Sequence, residues 1–223
     1  MSDLSDQLAT IHQEIRWAQS LSPDQQDVAL IAVSKQQPDE RIEAALQADI
    51  RIFGENRVQE AQGRWQHRRP HYPDLELHLI GPLQTNKAAD AVALFDYIHS
   101  VDRPKLARIL SEEMQKQDRH LPCFIQVNTG LEAQKAGILP EDCVDFVDMC
   151  RNEYGLTICG LMCIPPIDEE PVMHFALLKK LAKQAGLPHL SMGMSDDFPA
   201  AIQLGASHIR VGSQLFGARL PRS

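Results

Sequence analysis

The chain has 223 residues, of which 43% are hydrophobic and 23% charged, and its formal net charge is −8. This length fits one α/β barrel or two small domains, and the apolar content is enough for a sizeable core. The acidic balance argues against nucleic acid and anionic membranes as main partners, because both bind basic surfaces. The N-terminus has no signal-peptide pattern, no apolar run reaches the roughly 18 residues of a membrane span, and the five cysteines need no disulfides. We therefore expect a cytoplasmic protein with reduced thiols.

The chain begins with an amphipathic helix and continues with eight apolar or β-branched runs that predict strands. The helix ends at Ser22-Pro23, and its apolar face is formed by Leu4, Leu8, Ile11, Ile15 and Ala18. The predicted strands cover 28–35, 50–56, 76–81, 97–102, 123–129, 157–165, 189–195 and 208–216. Helical patterns separate the runs; one starts at Pro104 and another stops at Gly186.

Strict alternation of strands and helices indicates parallel pairing, because parallel neighbours need a crossover connection. Eight strands are the number in a closed (β/α)8 barrel. We predict one such TIM-type barrel, forming a single domain over residues 1–223; a doubly wound open sheet is the alternative. Only residues 218–223 follow the last run, too few for a closing helix. We therefore expect the N-terminal helix, which precedes strand 1, to cover the last strand.

Lys35 lies at the end of the first predicted strand, after Ile31-Ala32-Val33-Ser34. Functional groups of such barrels lie at the carboxyl ends of the strands. An amine at this position is partly desolvated, which lowers its pKa and favours nucleophilic chemistry. The alternative is a rim lysine that extends its amine into water.

The ends of strands seven and eight carry small and hydroxyl residues, in Gly193-Met194-Ser195 and Arg210-Val211-Gly212-Ser213. Barrels often bind a phosphate between these two loops through backbone N–H groups and hydroxyls. Plain tight turns are the alternative. Barrel closure makes these loops neighbours of Lys35, which favours a shared site.

Two further polar positions are Glu55-Asn56 after strand two and His78 within strand three. A lone histidine in a strand is more often a hydrogen-bonded core group than a catalyst. No pair of cysteines or histidines completes a zinc site with Cys159 and Cys163, so we predict no metal.

Taken together, several motifs resemble the pyridoxal phosphate homeostasis protein family, called YggS-like in bacteria and the proline synthase co-transcribed homologue in vertebrates. The resemblance runs in family order from about residue 30 to residue 219. The matching segments are AVSK at 32–35, FGENRVQE at 53–60, HLIGPLQTNK at 78–87, QVNT at 126–129, KAG at 135–137, GLM at 160–162, MGMSDD at 192–197 and RVGS at 210–213.

The resemblance implies a barrel like the N-terminal domain of alanine racemase, with pyridoxal 5′-phosphate (PLP) held as a Schiff base on one lysine. The implied cofactor-binding residues are Lys35 for the Schiff base, Ser195, Gly212, Ser213 and the backbone of Met194 at the phosphate, Arg210 at the pyridine nitrogen, and Asn56 and His78 near the ring. Leu77 and Arg57 depart from the family pattern, which usually has tryptophan and an aromatic residue there.

An arginine can only donate to the pyridine nitrogen, so the nitrogen stays unprotonated and the ring is a weaker electron sink. A weaker sink suits either a racemase, which must limit side reactions, or a protein that only holds and releases the cofactor. The function that we favour is a PLP carrier in vitamin B6 and amino-acid homeostasis without turnover. A PLP-dependent amino-acid racemase is the alternative, but the second base that alanine racemase takes from a separate domain has no counterpart here. A Schiff-base aldolase without cofactor is a third possibility. We expect PLP and PLP-dependent apoenzymes as partners, and a monomer.

Overall fold

The computed structural model describes residues 4–217; residues 1–3 and 218–223 lie outside the described part. Its eight strands form one closed barrel in the order β1 to β8, every neighbouring pair is parallel, and β8 pairs with β1. The strands are β1 Ala29–Val33, β2 Ile52–Glu55, β3 Glu76–Leu79, β4 Tyr97–Val101, β5 Cys123–Val127, β6 Ile158–Cys163, β7 His189–Met194 and β8 His208–Val211. The predicted barrel is confirmed, and the open sheet is excluded.

The strands are apolar along their length because helices cover the outside of the barrel and side chains fill the inside. All five residues of β5 are buried, for example. The register of the closing pair places Ile31 of β1 opposite Arg210 of β8. Closure therefore brings the ends of the first and last strands together at one face of the barrel.

Nine α-helices in the described residues surround the sheet. They are α1 Leu4–Leu21, α2 Asp39–Gln47, α3 Val58–Trp65, α4 Ala88–Leu94, α5 Pro104–Gln117, α6 Cys143–Asn152, α7 Pro171–Gln184, α8 Phe198–Gln203 and α9 Ser213–Phe216. Helix α5 begins at Pro104, as predicted, and Gly186 follows α7 with a φ of 62°, a conformation that glycine adopts without strain. None of these helices combines the length and the apolar character needed to cross a membrane.

Helix α1 precedes the first strand and packs against α8 and α9 on the outside of the barrel. Ile11, Ile15 and Ala18 form its buried face. Its contact with α9 includes a hydrogen bond of 3.0 Å from Nε2 of Gln214 to Oε2 of Glu14. The N-terminal helix thus takes the position on the outside of the barrel that a full-length helix after β8 would occupy.

The predicted eighth strand, 208–216, is wrong in its second half. Strand β8 ends at Val211, and the next residues form the one-turn helix α9. The backbone carbonyl of Gly212 accepts hydrogen bonds from the N–H groups of Leu215 at 3.2 Å and Phe216 at 2.8 Å. Because both N–H groups bond within the turn, they are not available to a strand ladder, and the apolar run is buried as a helix instead.

Candidate functional site

A cavity of about 250 Å³ opens at the carboxyl ends of β1, β2, β7 and β8. Seven of the eight predicted site residues line it: Lys35, Asn56, Met194, Ser195, Arg210, Gly212 and Ser213. The structure therefore brings the lysine that follows β1 to the two loops that follow β7 and β8. His78 is not part of this lining.

A tight turn after β1 sets the position of Lys35. The N–H of Gln37 donates to the carbonyl of Ser34 at 3.1 Å, and Gln36 between them has a φ of 59°. The N–H of Ser34 donates to the carbonyl of Gly54 at 3.1 Å, which keeps the strand paired up to the turn. Lys35 consequently leaves the barrel wall half-buried at the edge of the cavity.

A buried ion pair stabilises this turn. Oε1 of Glu55 accepts hydrogen bonds from Arg64 at 2.7 Å, the hydroxyl of Ser34 at 2.6 Å and the indole N–H of Trp65 at 2.9 Å. Arg64 also donates to the carbonyls of Ser34 at 2.9 Å and Gln37 at 3.0 Å. Glu55 is fully buried, so the carboxylate and the guanidinium compensate each other's charge out of water.

Arg210 is the cationic group inside the barrel wall, and it is only 4% exposed. Its guanidinium donates to the carbonyl and the hydroxyl of Ser191, both at 2.8 Å, and to the carbonyl of Cys163 at 2.8 Å. Burial lowers the pKa of Arg210. All three acceptors are uncharged, and no carboxylate of residues 4–217 forms an ion pair with it. Buried charges are usually paired, so this cation is suited to an acceptor that enters the cavity.

The loops after β7 and β8 meet through two hydroxyls. Oγ of Ser213 donates to Oγ of Ser195 at 3.2 Å. Gly193 makes the sharp exit from β7 possible, since its φ is 94° and a Cβ there would lie 2.7 Å from the Cβ of Ala201. The backbone N–H of Met194 donates to Oδ1 of Asp197 at 2.6 Å, so this donor already has a partner within its own loop.

Asn56 presents a polar atom without a partner. Its Oδ1 is buried and accepts no hydrogen bond from the described residues. The side chain lies between the Lys35 cavity and a larger cavity of about 820 Å³, whose lining includes the cations Arg57, Lys87 and Arg103. Because unsatisfied buried polar atoms are rare in native proteins, Asn56 marks a point where a ligand with hydrogen-bonding groups would fit.

His78 lies deeper, in the amino-terminal half of the barrel, and is fully buried. Its Nε2 is 2.7 Å from Oε1 of Glu76, and its Nδ1 is 2.8 Å from Nε2 of His99. Nδ1 of His99 is 2.9 Å from Oγ of Ser191, which in turn bonds to Arg210. Neither His99 nor Ser191 was predicted from the sequence as a site residue. The signal that could have indicated them is a polar residue within a strand whose neighbouring residues are buried.

The barrel and this cavity together define a protein of the alanine racemase N-terminal domain class. The model of that family, "Alanine racemase, N-terminal domain", matches residues 7–220. The structure also resembles alanine racemase from Bartonella henselae with a TM-score of 0.74 and 15% identity, over 97% of this chain and 59% of that one. At this identity the likeness concerns the fold alone.

More specific relatives define the family. A pyridoxal phosphate homeostasis protein of Vibrio alginolyticus is 38% identical over 98% of this chain and 99% of its own length. Its counterpart in Pseudomonas aeruginosa is 41% identical, with coverage of 98% and 97%. The structure of PipY from Synechococcus elongatus PCC7942 with PLP bound has a TM-score of 0.82 and 40% identity, over 96% of this chain and all of that one. The chain belongs to the pyridoxal phosphate homeostasis protein family.

The two departures from the family pattern lie outside the Lys35 cavity. Leu77 is fully buried in β3, and its N–H donates to Oδ2 of Asp96 at 2.8 Å. Arg57 has a largely exposed side chain that pairs with Glu60 at 3.3 Å.

Proposed function

We propose that this protein binds PLP in the cavity between Lys35 and the β7–β8 loops, holds it there as a Schiff base, and serves vitamin B6 and amino-acid homeostasis without turning over a substrate. The observation that carries the proposal is the buried guanidinium of Arg210, whose hydrogen bonds all go to uncharged oxygens while it lines a cavity that also contains a lysine. The PLP-bound structure of PipY, a relative at 40% identity, supports the same ligand.

The donor set of the cavity fits each part of PLP. Lys35 would supply the amine for the aldehyde, and the hydroxyls of Ser195 and Ser213 would donate to the phosphate. Arg210 would donate to the pyridine nitrogen, and Asn56 would bond to a polar substituent of the ring. The volume of about 250 Å³ lies near the lower end of ligand pockets, which span roughly 300–1,000 Å³, and suits one compact aromatic molecule.

The donor to the pyridine nitrogen favours holding over turnover. PLP bound to an enzyme supplies an electron sink for carbanion chemistry, and this sink is strongest when a carboxylate keeps the nitrogen protonated. Arg210 has no acceptor atom and stays cationic, so it leaves the nitrogen unprotonated. Among the described residues, no tyrosine lines the Lys35 cavity. Tyr97, for example, begins β4 at the opposite end of the barrel. A racemase needs an acid–base group on each face of its substrate, so this arrangement supports the carrier.

Absorbance and borohydride trapping test the binding mode. We expect the wild type to turn yellow with PLP and to retain the cofactor on the peptide containing Lys35 after reduction. Lys35→Ala should show neither property, whereas Lys183→Ala, at an exposed lysine in the last turn of α7, should behave like the wild type. A wild-type protein that is colourless after excess PLP has been added and then removed would contradict the proposal.

Deuterium exchange tests the absence of turnover. The PLP-loaded protein is incubated with the common amino acids in deuterated water, and incorporation at the α-carbon is measured by mass spectrometry. We expect no incorporation above that of free PLP. Exchange that depends on Lys35 would instead identify the racemase alternative.

A further inference from the structure

A continuous chain of polar side chains crosses the inside of the barrel below the cavity. It starts at Glu76, the first residue of β3, and continues to His78 at 2.7 Å, His99 at 2.8 Å and Ser191 at 2.9 Å. The last contact, 2.8 Å long, joins Oγ of Ser191 to Nη1 of Arg210. The chain thus connects the amino-terminal face of the barrel with the guanidinium that faces the Lys35 cavity.

The middle of this chain is shielded from water. His78, His99 and Ser191 are each 1% exposed or less, whereas the side chain of Glu76 is 36% exposed. Burial holds the pKa of His99 well below its usual value, and the charge of Arg210 acts in the same direction. His99 is therefore a neutral ring that carries a single N–H.

Aromatic rings enclose the chain on its other sides. Tyr97 stacks on His78 with the ring centroids 4.5 Å apart, and Phe124 stacks on His99 at 4.2 Å. His208 lies 6.0 Å from both histidine rings, and its Nδ1 contacts the hydroxyl of Ser207 instead. Burial, followed by the charges of His78, His189 and Arg210, lowers the pKa of His208 to about 3. This neighbour is consequently uncharged at neutral pH.

When each ring carries one proton and Glu76 is ionised, the chemistry of the end groups fixes the direction of every bond in the chain. Arg210 only donates, so Oγ of Ser191 accepts from it and uses its own proton for Nδ1 of His99. The single proton of His99 then lies on Nε2 and is donated to Nδ1 of His78. His78 in turn carries its proton on Nε2 and donates to the carboxylate of Glu76. The reverse direction would require a second proton on His78 or a protonated Glu76, and a further acceptor for the Ser191 hydroxyl.

We infer that Glu76, His78, His99 and Ser191 are positioning residues for Arg210. The carboxylate of Glu76 sets the tautomer of both histidines, and this order holds the Ser191 hydroxyl as an acceptor for Nη1. With Nη1 bound to Ser191 and one N–H of Nη2 bound to Cys163, the guanidinium plane is fixed, and its remaining donors keep one orientation at the cavity. The effect on the cofactor rests on the proposed function; the proton order of the chain does not.

Nitrogen-15 NMR of the imidazole rings tests the proton order without reference to PLP. Long-range couplings distinguish protons on Nε2 from protons on Nδ1, and spectra are recorded with and without PLP. We expect His78 and His99 to be neutral Nε2–H tautomers in both. In Glu76→Leu, which removes the acceptor, the fixed tautomers should be lost, whereas Glu76→Gln retains an acceptor oxygen and should preserve them. Nδ1–H on either ring of the wild type overturns the inference.

The link to Arg210 is tested with two serine variants. Ser191→Ala breaks the chain at its last step, and Ser100→Ala is the matched control, because Ser100 is also a buried serine of the barrel wall and its hydroxyl has no hydrogen-bond partner in the described residues. Circular dichroism checks that both variants fold. We expect Ser191→Ala to weaken PLP binding about tenfold, as for the loss of a hydrogen bond to a charged group, and to shift the absorbance of the bound cofactor. Ser100→Ala should retain the wild-type affinity and spectrum.

The outcomes separate this inference from the proposed function. If the wild type binds no PLP, the proposed function fails. The tautomer measurement still tests the proton order of the hydrogen-bonded side chains. If the wild type binds PLP but Ser191→Ala matches Ser100→Ala in both affinity and spectrum, the positioning role is wrong and the proposed function stands. If Ser191→Ala fails to fold, Glu76→Leu takes its place in the PLP titration, with Glu76→Gln as the rescuing variant.

Discussion

Two arginines lie close to the Lys35 cavity, and their partners differ. Arg64 pairs at 2.7 Å with the fully buried carboxylate of Glu55, and both hold the turn after β1. Arg210 is buried more deeply in the wall but bonds only to the uncharged oxygens of Ser191 and Cys163. The first cation is neutralised within the fold and stabilises it, whereas the second is the cation that we propose binds PLP. Burial of a charge alone therefore does not tell a structural group from a binding group; the charge of its partners does.

The charged groups around the two arginines differ in the same way as their hydrogen-bond partners do. A carboxylate bonds directly to Arg64, whereas Asp197 acts on Arg210 only through space, and the buried rings of His99 and His208 lie near Arg210. Burial lowers the pKa values of His99 and His208, and the charge of Arg210 contributes in the same direction. Protonation of His99 or His208 would therefore destabilise this half of the barrel.

The largest expected effect is a loss of stability in acid. The pKa of His208 is about 3 in the folded protein and 6.5 in the unfolded chain, so the unfolded chain binds more protons between these values. The stability contributed by the neutral ring is present above pH 6.5 and is lost as the pH falls toward 3, on the order of 5 kcal/mol at about 1.4 kcal/mol per pH unit. Urea denaturation between pH 7.5 and pH 4 should show this decline.

A matched pair of histidine variants assigns the acid effect. His208→Gln removes the titrating ring and should flatten the decline, whereas His12→Gln, at an exposed position of α1, should leave it unchanged. A decline of equal size in both variants would place the acid sensitivity elsewhere and remove His208 from the comparison.

The next largest effect concerns the compensated arginine. Glu55→Gln should lower the free energy of unfolding by about 3 kcal/mol, because it leaves the buried guanidinium of Arg64 without a counter-charge. Asp74→Asn is the control, since its ion pair with Arg51 is also short, 2.9 Å, but the Asp74 side chain is 62% exposed. Exposed pairs contribute about 1 kcal/mol or less. Similar losses in the two variants would show that Glu55 has no special role in holding the turn.

Arg210→Met should reverse this pattern. Replacing an uncompensated buried cation by an apolar side chain is often nearly neutral, so we expect a loss of only about 1 kcal/mol, mainly from the carbonyls left without donors. PLP affinity, measured by absorbance titration, should fall at least about tenfold, as for a lost hydrogen bond from a charged group. If Arg210→Met destabilises the protein as strongly as Glu55→Gln and binds PLP normally, the division between the two arginines is wrong.

The sequence predicted the features that depend on local pattern and on the order of the strands. It missed hydrogen bonds between side chains of different strands. Apolar runs bounded by turn residues located all eight strands, and the position of Lys35 at a strand end placed it at the cavity. The same pattern extended the last strand too far, because Leu215 and Phe216 are buried equally well in a helical turn. The identity of the family came from motifs, whose members are far apart in the chain and meet only in the closed barrel.

The polar chain below the cavity had no comparable signal. His78 comes from β3, His99 from β4 and Ser191 from β7, and only the closed barrel brings them into hydrogen-bond distance. The placement of His78 near the cofactor ring stays a prediction, as do the other assigned contacts. The structure shows its ring bonded to Glu76 and His99, outside the cavity lining. A residue type inside a strand does not reveal which neighbours it meets across a barrel.

The smallest expected effect tests the hydroxyl of Ser213 in the loop after β8. Ser213 is exposed, and its hydroxyl donates to Ser195 at 3.2 Å, so Ser213→Ala should change the free energy of unfolding by less than about 0.5 kcal/mol. If this hydroxyl binds the phosphate of PLP, the same variant should lower the affinity about fivefold, which corresponds to roughly 1 kcal/mol for one hydrogen bond. Ser213→Thr retains the hydroxyl and should bind like the wild type. Equal losses in both variants would mean that the shape of the loop, and not the hydroxyl, determines the affinity.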